Sequence, residues 1–274
     1  MIHVTAHGVR IPALGFGTFR LEGRTAERMV AAALEIGYRH VDTAQMYGNE
    51  AEVGRGIAAS GVPREEIWLT TKIWPDNFRD GQLQRAAEQS VRRLGTEPDL
   101  LLLHWPSPNV PLAETIRALN DARRKGLTRH IGISNFTTRL IREAVAASEA
   151  PLLLDQVEYH PYLGQAAVLG ELRKHGMALT AYAPIAHGQV FRDETLRRIG
   201  ERHGKTPGQV TLRWLLQQEG VLAIPRSSRE EHARSNFEIF DFELSGPEMA
   251  EIAGLARPDG RLIDPAGFAP SWDR

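Results

Sequence analysis

Leu100-Leu101-Leu102-Leu103-His104 is an unbroken apolar run that stops at an ionisable side chain. Two earlier runs stop in the same way, because residues 38–41 lead to Asp42 and residues 67–71 lead to Lys72. Continuously apolar runs are typical of strands whose two faces are both covered. If the three runs are neighbouring parallel strands, an acid, a base and an imidazole meet at one end of one sheet. That grouping indicates an enzyme that transfers protons.

Short apolar runs alternate along the whole chain with segments of helical period. The predicted strands are residues 13–17, 38–42, 67–71, 100–103, 130–134, 152–157, 178–182 and 222–225. This alternation implies parallel strands joined by crossover helices. Eight such units within 274 residues favour an α/β fold of the closed (β/α)8, or TIM-barrel, type. We therefore expect residues 1–274 to form a single domain.

Additional elements are predicted at both ends of this pattern. Residues 2–4 and 9–11 flank Ala6-His7-Gly8 and predict an N-terminal β-hairpin with a glycine turn. Thr206-Pro207 and Ser245-Gly246-Pro247-Glu248 have the residues of helix starts. They predict one extra helix after the seventh barrel strand and another near the C-terminus, before an irregular tail.

The composition argues against several classes of function. The net charge of −1 lacks the basic excess that nucleic-acid or membrane-surface binding needs. The chain has no cysteine, which excludes disulfides and thiolate chemistry. None of the 10 histidines falls in an HExxH motif, so no metal site is expected. Without a signal-peptide pattern or an apolar stretch of about 20 residues, a cytoplasmic protein is expected.

Polar side chains follow most of the predicted strands. In chain order these are Asp42, Lys72, His104, Ser134-Asn135, Gln156, Tyr182 and Arg226. Active sites of (β/α)8 barrels lie at this end of the strands. Loops also begin there, so any single residue has an ordinary explanation. That explanation is weaker for an acid, a base and an imidazole on three consecutive strands.

Lys72 lies in an apolar setting that does not suit a surface lysine. A buried lysine loses proton affinity unless a carboxylate compensates, and Asp42 on the adjacent strand is the natural partner. A charged Lys72 is expected to lower the pKa of a nearby phenol, so that Tyr47 donates a proton near neutral pH. The alternative is an ion pair that only holds the barrel together.

The other strand-end residues each allow two interpretations. His104 is either a satisfied core histidine or, beside Tyr47, the group that orients a carbonyl. Ser134-Asn135 is either a helix cap or, with Gln156, a pair of carboxamides that suits a nicotinamide, on which Tyr182 could stack.

Two stretches bear on phosphate binding. Arg226-Ser227-Ser228-Arg229 precedes a predicted helix where barrels of this type often bind phosphate. Solvated arginines beside a capping box are the alternative. Gly15-Phe16-Gly17 lacks the third glycine of the dinucleotide fingerprint, because Arg20 stands there, and it supports a Rossmann fold only weakly.

Together these stretches resemble the aldo-keto reductase family over nearly the whole chain. The matching motifs are Leu14-Gly15-Phe16-Gly17-Thr18, residues 37–44 with Tyr47-Gly48-Asn49-Glu50, Thr71-Lys72-Ile73-Trp74, Leu103-His104-Trp105-Pro106, residues 131–136, Gln156-Val157-Glu158 and Ile224-Pro225. Within the family, the chain is similar to short bacterial 2,5-diketo-D-gluconate reductases, as in its stretch at residues 259–265.

The resemblance implies a barrel closed at the bottom by the N-terminal hairpin, and NADPH-dependent reduction of an aldehyde or ketone by hydride transfer from nicotinamide C4. Tyr47 would be the general acid and His104 would orient the carbonyl. Asp42 and Lys72 would lower the pKa of Tyr47. The implied cofactor-binding residues are Gly17, Thr18, Asp42, Ser134, Asn135, Gln156, Tyr182, Arg226, Ser227, Arg229 and Asn236. The implied substrate pocket consists of Phe19, Tyr47, Trp74, His104, Trp105 and Trp272.

Three positions depart from the family pattern. His232 replaces an arginine that is common against the 2′-phosphate or adenine, which weakens the preference for NADPH because histidine is mostly neutral at pH 7. NADH is therefore a weaker alternative cofactor. Asp155 replaces a common asparagine, with little effect expected, and Ala183 replaces a frequent serine after Tyr182.

Two other functions stay open. Lys72 could form a Schiff base in an aldolase-like barrel. Potassium-channel β subunits share this fold and bind NADPH mainly as partners of a membrane protein. The full set of Asp42, Tyr47, Lys72 and His104 favours a reductase acting as a monomer on a small-molecule carbonyl. Diketo-sugar acids, methylglyoxal and keto esters are the candidate substrates.

Overall fold

Ten strands are present in the computed structural model, which describes residues 2–273. They are β1 His3–Ala6, β2 Val9–Pro12, β3 Phe16–Gly17, β4 His40–Asp42, β5 Trp68–Ile73, β6 Leu100–Leu103, β7 His130–Ser134, β8 Leu152–Glu158, β9 Ala178–Tyr182 and β10 Val221–Ala223. Strands β3 to β10 form one parallel sheet in the order in which they follow along the chain.

The two edges of this sheet, β3 and β10, meet. Leu14 and Gly17 form parallel bridges to Ala223 and Arg226. The amide of Gly17 also donates to the carbonyl of Pro225 at 3.0 Å. The sheet therefore closes on itself, and the predicted (β/α)8 barrel is confirmed. We call this junction of residues 14–17 with residues 223–226 the seam.

Helices occupy every connection between consecutive barrel strands. They are α1 Gly23–Ile36, α2 Glu50–Ala59, α3 Gln82–Leu94, α4 Leu112–Arg124, α5 Thr138–Ala147, α6 Ala166–Lys174, α7 Glu194–His203 and α8 Pro207–Leu216. Two more helices, α9 Glu230–Phe237 and α10 Gly246–Ala253, follow β10. Both extra helices are confirmed, since α8 adds a second helix before β10 and α10 lies near the C-terminus. Each begins with a capping box. The box of Ser245 with Glu248 was predicted, whereas Thr206 was predicted only as an N-cap and also pairs with Gln209.

The sequence placed β6, β7 and β9 at their observed bounds, and the largest differences are at the seam. β3 begins at Phe16 rather than at residue 13, because the preceding residues meet β10 only through a single bridge. β10 ends at Ala223, two residues earlier than predicted. Pro225 has no N–H group with which to extend a ladder.

The N-terminal hairpin lies at the end of the barrel where the strands begin. Val4 pairs with Ile11 across β1 and β2, and both side chains are buried. The ring of His7 in the hairpin turn lies so close to Gly176 that a Cβ on that glycine would be 3.4 Å from it. Because Gly176 precedes β9, the hairpin covers the bottom of the barrel, as the resemblance implied.

Alternation along the strands decides which side chains face the barrel interior. His40 and Asp42 on β4 point the same way, as do Thr70 and Lys72 on β5. Thr70 Oγ1 lies 3.3 Å from His40 Nε2, and Lys72 Nζ lies 2.5 Å from Asp42 Oδ1. The interior therefore contains a neutral layer and, nearer the strand ends, a charged layer.

Two glycines allow α2 to pack closely between α1 and α3. A Cβ on Gly54 would overlap the backbone carbonyl of Leu94 at the end of α3. A Cβ on Gly56 would lie 2.6 Å from the carbonyl of Glu27 on α1. Glycine normally weakens a helix interior, so close packing compensates for its poor helix propensity here.

Replacing Gly54 by alanine is expected to lower the free energy of unfolding by about 1–3 kcal/mol, the usual cost of overpacking. The matched control is Gly170→Ala in α6, where a Cβ meets no atom within 4 Å. That substitution is expected to raise the free energy of unfolding by about 0.5–1 kcal/mol. Urea denaturation measures both values, and stabilisation by Gly54→Ala would contradict the close packing.

Candidate active site

A buried lysine forms the centre of a cluster at the C-terminal ends of the strands. Lys72 Nζ donates to Asp42 Oδ1 at 2.5 Å, to the Thr43 carbonyl at 2.9 Å and to Tyr47 Oη at 3.2 Å. The side chains of Lys72 and Asp42 are 0% and 1% exposed. Asp42 Oδ2 accepts from Gln156 Nε2 at 2.7 Å. Both charged groups are thus fully hydrogen-bonded, as a buried ion pair requires.

A short 3₁₀ turn, Gln45–Tyr47, brings Tyr47 to this lysine. Asn49 holds the turn in place, because its Nδ2 donates to the Thr18 carbonyl at 2.9 Å and its Oδ1 accepts from Thr43 Oγ1 at 2.8 Å. In the sequence, Asn49 is recognisable only as part of the motif Tyr47-Gly48-Asn49-Glu50. The structure shows that its amide links the loop after β3 to the loop after β4.

The structure contradicts the expected effect on the pKa of Tyr47. Burial raises this pKa well above its usual value of 10, and repulsion from Asp42 adds to the rise. Burial also lowers the pKa of Lys72, while Asp42 opposes that shift. The prediction of a lowered phenol pKa is therefore wrong here, because desolvation outweighs the attraction of an ammonium that Asp42 already neutralises. The phenol is protonated at neutral pH.

The hydroxyl hydrogen of Tyr47 is directed away from Lys72. An ammonium has only donors, so Lys72 donates to Tyr47 Oη, and the phenol must direct its own hydrogen to another acceptor. Tyr47 is therefore arranged as a proton donor.

His104 lies beside Tyr47 and is neutral. Burial lowers the pKa of His104 well below its usual value of 6.5, and repulsion from Lys72 lowers it further. The centroid of its ring lies 5.7 Å from that of Tyr47 and 5.2 Å from that of Trp74. A neutral imidazole carries one N–H, which suits donation to the same oxygen that the Tyr47 hydroxyl would meet.

The predicted carboxamide-binding residues form a connected network beside the cluster. Ser134 Oγ donates to the Gln156 carbonyl at 2.7 Å, and Asn135 Nδ2 donates to the His104 carbonyl at 2.9 Å. Tyr182 Oη donates to Asn135 Oδ1 at 2.7 Å. Asn135 has a φ of 65°, which asparagine tolerates better than most residues. The ends of β6, β7, β8 and β9 are therefore tied together by these side chains.

Gly17 and Thr18 lie in or next to the seam. A Cβ on Gly17 would lie 2.8 Å from the Ile224 carbonyl, so the strands approach there too closely for a side chain. Thr18 Oγ1 donates to the carbonyl of Asp42 at 3.0 Å. In this structure both residues therefore support barrel closure and the position of Asp42.

The residues predicted to meet phosphate lie after β10. Arg226 donates from Nε to the Phe19 carbonyl at 3.0 Å and from Nη2 to the Arg20 carbonyl at 3.2 Å. Ser227 Oγ accepts from the Arg229 amide at 3.0 Å within a local turn, and the start of α9 has no side-chain cap, so the capping box that was the alternative is absent.

The charges around the start of α9 have both signs. Glu231 lies 3.5 Å from Arg229 Nη1 and 3.6 Å from His232 Nε2. Asn236 lies in the last turn of the same helix and is half-buried. The structure therefore brings Arg226, Ser227 and Arg229 together, with an acidic side chain beside them.

Aromatic rings surround Tyr47 and His104. Ring centroids lie 5.0 Å apart for Phe19 and Tyr47, and 6.1 Å apart for Trp105 and Trp272. The centroid of the Phe268 ring lies 5.0 Å from that of Trp74. Phe19 and Trp74 thus contact Tyr47 and His104, and Phe268 packs on Trp74, although the irregular tail gave no sequence signal for it. Trp105 and Trp272 pack against each other.

Two buried carboxylates near the site were also not recognised from the sequence. Glu50 Oε1 accepts from Thr71 Oγ1 at 2.6 Å, and Glu50 Oε2 accepts from Arg93 Nε at 2.8 Å. The negative charge of Glu50 favours the protonated form of Lys72. Glu158 accepts hydrogen bonds from the C-terminal tail. Both residues belong to quoted motifs, but only the fold reveals their burial.

Neither a metal cluster nor a membrane-spanning helix is found between residues 2 and 273. No three His, Cys, Asp or Glu side chains in that range are grouped so that they could hold a metal ion. None of its helices is both long and apolar enough to cross a bilayer.

Comparisons with known proteins add independent information. The model of the aldo/keto reductase family matches residues 13–257. Methylglyoxal reductase DkgB from Escherichia coli O157:H7 is 44% identical over 96% of this chain and 99% of its own length. A crystal structure assigned as a 2,5-diketo-D-gluconic acid reductase B has a TM-score of 0.98 and 52% identity, covering 100% of this chain and 98% of its own.

A third relative is similar over most of its length. The structure of Bombyx mori aldo-keto reductase, solved in complex with NADP, has a TM-score of 0.87 and 33% identity, covering 93% of this chain and 92% of its own.

Phenol ionisation tests the raised pKa of Tyr47. Burial raises the pKa of all 5 tyrosines, so no phenolate absorbance at 295 nm is expected up to about pH 10, the ordinary tyrosine value. Tyr47→Phe is the reference sample. A phenolate signal near pH 8–9 that this variant lacks would show that Lys72 does acidify Tyr47.

Proposed function

Because this chain belongs to the aldo/keto reductase family and is an oxidoreductase, we propose that the cluster around Lys72 is the catalytic centre of an NADPH-dependent carbonyl reductase. The observation that carries the proposal is the position of Lys72 Nζ, 2.5 Å from Asp42 and 3.2 Å from Tyr47 Oη. Tyr47 would act as general acid and His104 would orient the carbonyl.

The residues beside this cluster fit a nicotinamide carboxamide. Gln156 uses one N–H on Asp42, so its second N–H and its Oε1 can pair with a carboxamide. Ser134 and Asn135 would complete this binding, and the Tyr182 ring would stack on the nicotinamide. Gly17, Thr18, Arg226, Ser227, Arg229 and Asn236 would face the rest of the cofactor. When bound, the reduced cofactor supplies the hydride.

Tyr47 can donate its proton although its pKa is raised. The substrate oxygen develops negative charge and becomes an alkoxide, which is a stronger base than a phenolate. Proton transfer from Tyr47 to that oxygen is therefore favourable. The phenolate left behind lies beside the Lys72 ammonium, which stabilises it. Lys72 would thus reduce the free-energy cost of forming the phenolate, although burial and Asp42 keep the pKa of the resting phenol raised.

The relatives indicate small carbonyl substrates. One is named a methylglyoxal reductase and another is assigned as a 2,5-diketo-D-gluconic acid reductase. Methylglyoxal-like, diketo-sugar-acid and keto-ester compounds are therefore the substrates that we propose. The aromatic rings of Trp74 and Trp105 would exclude water from the reacting carbonyl.

The charges at α9 bear on cofactor choice. Arg226 and Arg229 favour a 2′-phosphate, while Glu231 beside Arg229 disfavours one. These charges support NADPH as the main cofactor and NADH as a weaker substitute.

The alternative functions gain no support. Lys72 Nζ donates three hydrogen bonds, so its ammonium has no free lone pair for Schiff-base formation. The relatives described above are reductases or reductase-family proteins, not channel subunits.

The proposal also covers the oligomeric state, the domain organisation and the cellular location of the protein. Every residue of the cluster comes from one chain, which supports a monomer. One continuous hydrophobic core supports a single domain over residues 1–274. NADPH is a cofactor of the cell interior, which supports a cytoplasmic location.

Tyr47→Phe is expected to bind NADPH nearly normally and to lose about 10²–10⁴-fold in turnover of a small dicarbonyl, the usual contribution of a general acid. The matched control is Tyr159→Phe, which removes a hydroxyl bonded to Gln218 outside the cluster and should keep turnover. NADPH oxidation at 340 nm measures the rate. Turnover retained by Tyr47→Phe would refute Tyr47 as the acid.

Arg226→Ala is expected to weaken NADPH binding about 10-fold or more, because a charge-assisted hydrogen bond contributes about 1.5–3 kcal/mol. NADH binding should change by less than about 3-fold by the same reasoning. Quenching of tryptophan fluorescence measures both dissociation constants, with Arg234→Ala on the exposed side of α9 as control. Equal losses for the two cofactors would mean that Arg226 only supports the loop at Phe19.

A further inference from the structure

Arg261 lies in the C-terminal tail, against Trp272 and Glu158. Its guanidinium carbon lies 3.5 Å from the centroid of the Trp272 ring. Trp272 contacts Trp105, the residue after His104. The side chain of Arg261 is only 17% exposed. A mostly buried cation therefore lies against Trp272 and close enough to Tyr182, at the end of β9, to interact with it electrostatically.

Glu158 fixes the position of Arg261 without using its hydrogen-bond donors. Glu158 Oε1 accepts from the Leu262 amide at 2.7 Å and from His160 Nε2 at 2.9 Å, and Oε2 accepts from the Ile263 amide at 3.0 Å. Arg261 Nη1 lies 3.8 Å from Oε2, which is beyond hydrogen-bonding distance. The carboxylate is occupied by the backbone that carries Arg261.

The Nη1 atom of Arg261 is buried and has no hydrogen-bond acceptor anywhere in the described part of the chain, residues 2–273. A buried donor without a partner costs free energy, and more so when the group is charged. Nη1 faces Glu158, so an anionic oxygen would reach the guanidinium at its exposed side and add the hydrogen bonds that Glu158 does not supply. Arginine binds carboxylates through two parallel hydrogen bonds, and the ring of Trp272 would hold the plane of the guanidinium in place.

We propose that Arg261 is a specificity-determining residue that binds a carboxylate of the substrate, so that the enzyme prefers carbonyl compounds that also carry a carboxylate. The inference rests on the proposed reductase function and narrows its substrate class. The two named activities of the relatives differ in this respect, because methylglyoxal is neutral and 2,5-diketo-D-gluconic acid is a carboxylic acid. Arg261 favours the acid.

The test uses two aldehydes, 4-formylbenzoate and its methyl ester, with saturating NADPH; the first carries a carboxylate and the second is neutral. The variants are Arg261→Met, which keeps an apolar stem, and Arg261→Lys, which keeps the charge. The matched control is Arg257→Met. Arg257 belongs to the same tail, lies 5.1 Å over the Tyr162 ring and pairs with Asp259 at 3.4 Å.

Arg261→Met is expected to lower kcat/KM for the acid about 10-fold or more, as loss of a charge-assisted contact implies, while the ester changes by less than about 2-fold. Arg261→Lys should keep part of the preference for the acid, and Arg257→Met should keep all of it. Equal losses for acid and ester would overturn the proposal and show that Arg261 only supports the tail.

Two further outcomes would also overturn it. An unchanged preference for the acid in Arg261→Met would mean that no carboxylate meets Arg261. A rise in KM for NADPH with no change in acid preference would assign the guanidinium to a cofactor phosphate. Failure of the wild-type enzyme to reduce either aldehyde or any dicarbonyl would instead contradict the proposed function itself.

Discussion

The site depends on an ion pair between Lys72 and Asp42 that is closed off from water inside the barrel. Burying two charges costs several kcal/mol each unless geometry and hydrogen bonds compensate. Here the compensation comes from the Thr43 carbonyl, Tyr47 Oη and the Gln156 amide. These partners lie on or after β4 and β8, so the pair is favourable only when the barrel is closed. Folding and assembly of the site are therefore one event.

The same burial sets the acid–base properties of the neighbouring groups. It raises the pKa of Tyr47 and lowers that of His104, so both are uncharged at neutral pH. Next to them lie the opposite charges of Lys72 and Asp42, which nearly cancel. A neutral pocket with one preformed ion pair responds strongly to new negative charge on a substrate oxygen, because little water is present to screen it.

The fold and the members of the cluster followed from the sequence because they depend on local pattern. Apolar runs of strand length, such as residues 100–103, ended where the barrel ends, and parallel topology then placed Asp42, Lys72 and His104 together. The sign of the Tyr47 pKa shift did not follow, since it depends on the depth of burial. The burial and contacts of Glu158 and Arg261 could not be predicted, because they join residues about 100 positions apart in the sequence.

One segment of the seam, residues 223–226, both closes the barrel and positions a neighbouring loop. Residues 223–226 close the barrel against residues 14–17, and Arg226 in the same segment hydrogen-bonds the loop at Phe19. A dinucleotide held by this segment would bind only the closed form, and any ligand that binds one form alone raises its population. Opening fluctuations of the first and last barrel strands would become rarer with cofactor present. Amide hydrogens there would exchange more slowly, so cofactor occupancy and mechanical rigidity would be linked through one short junction.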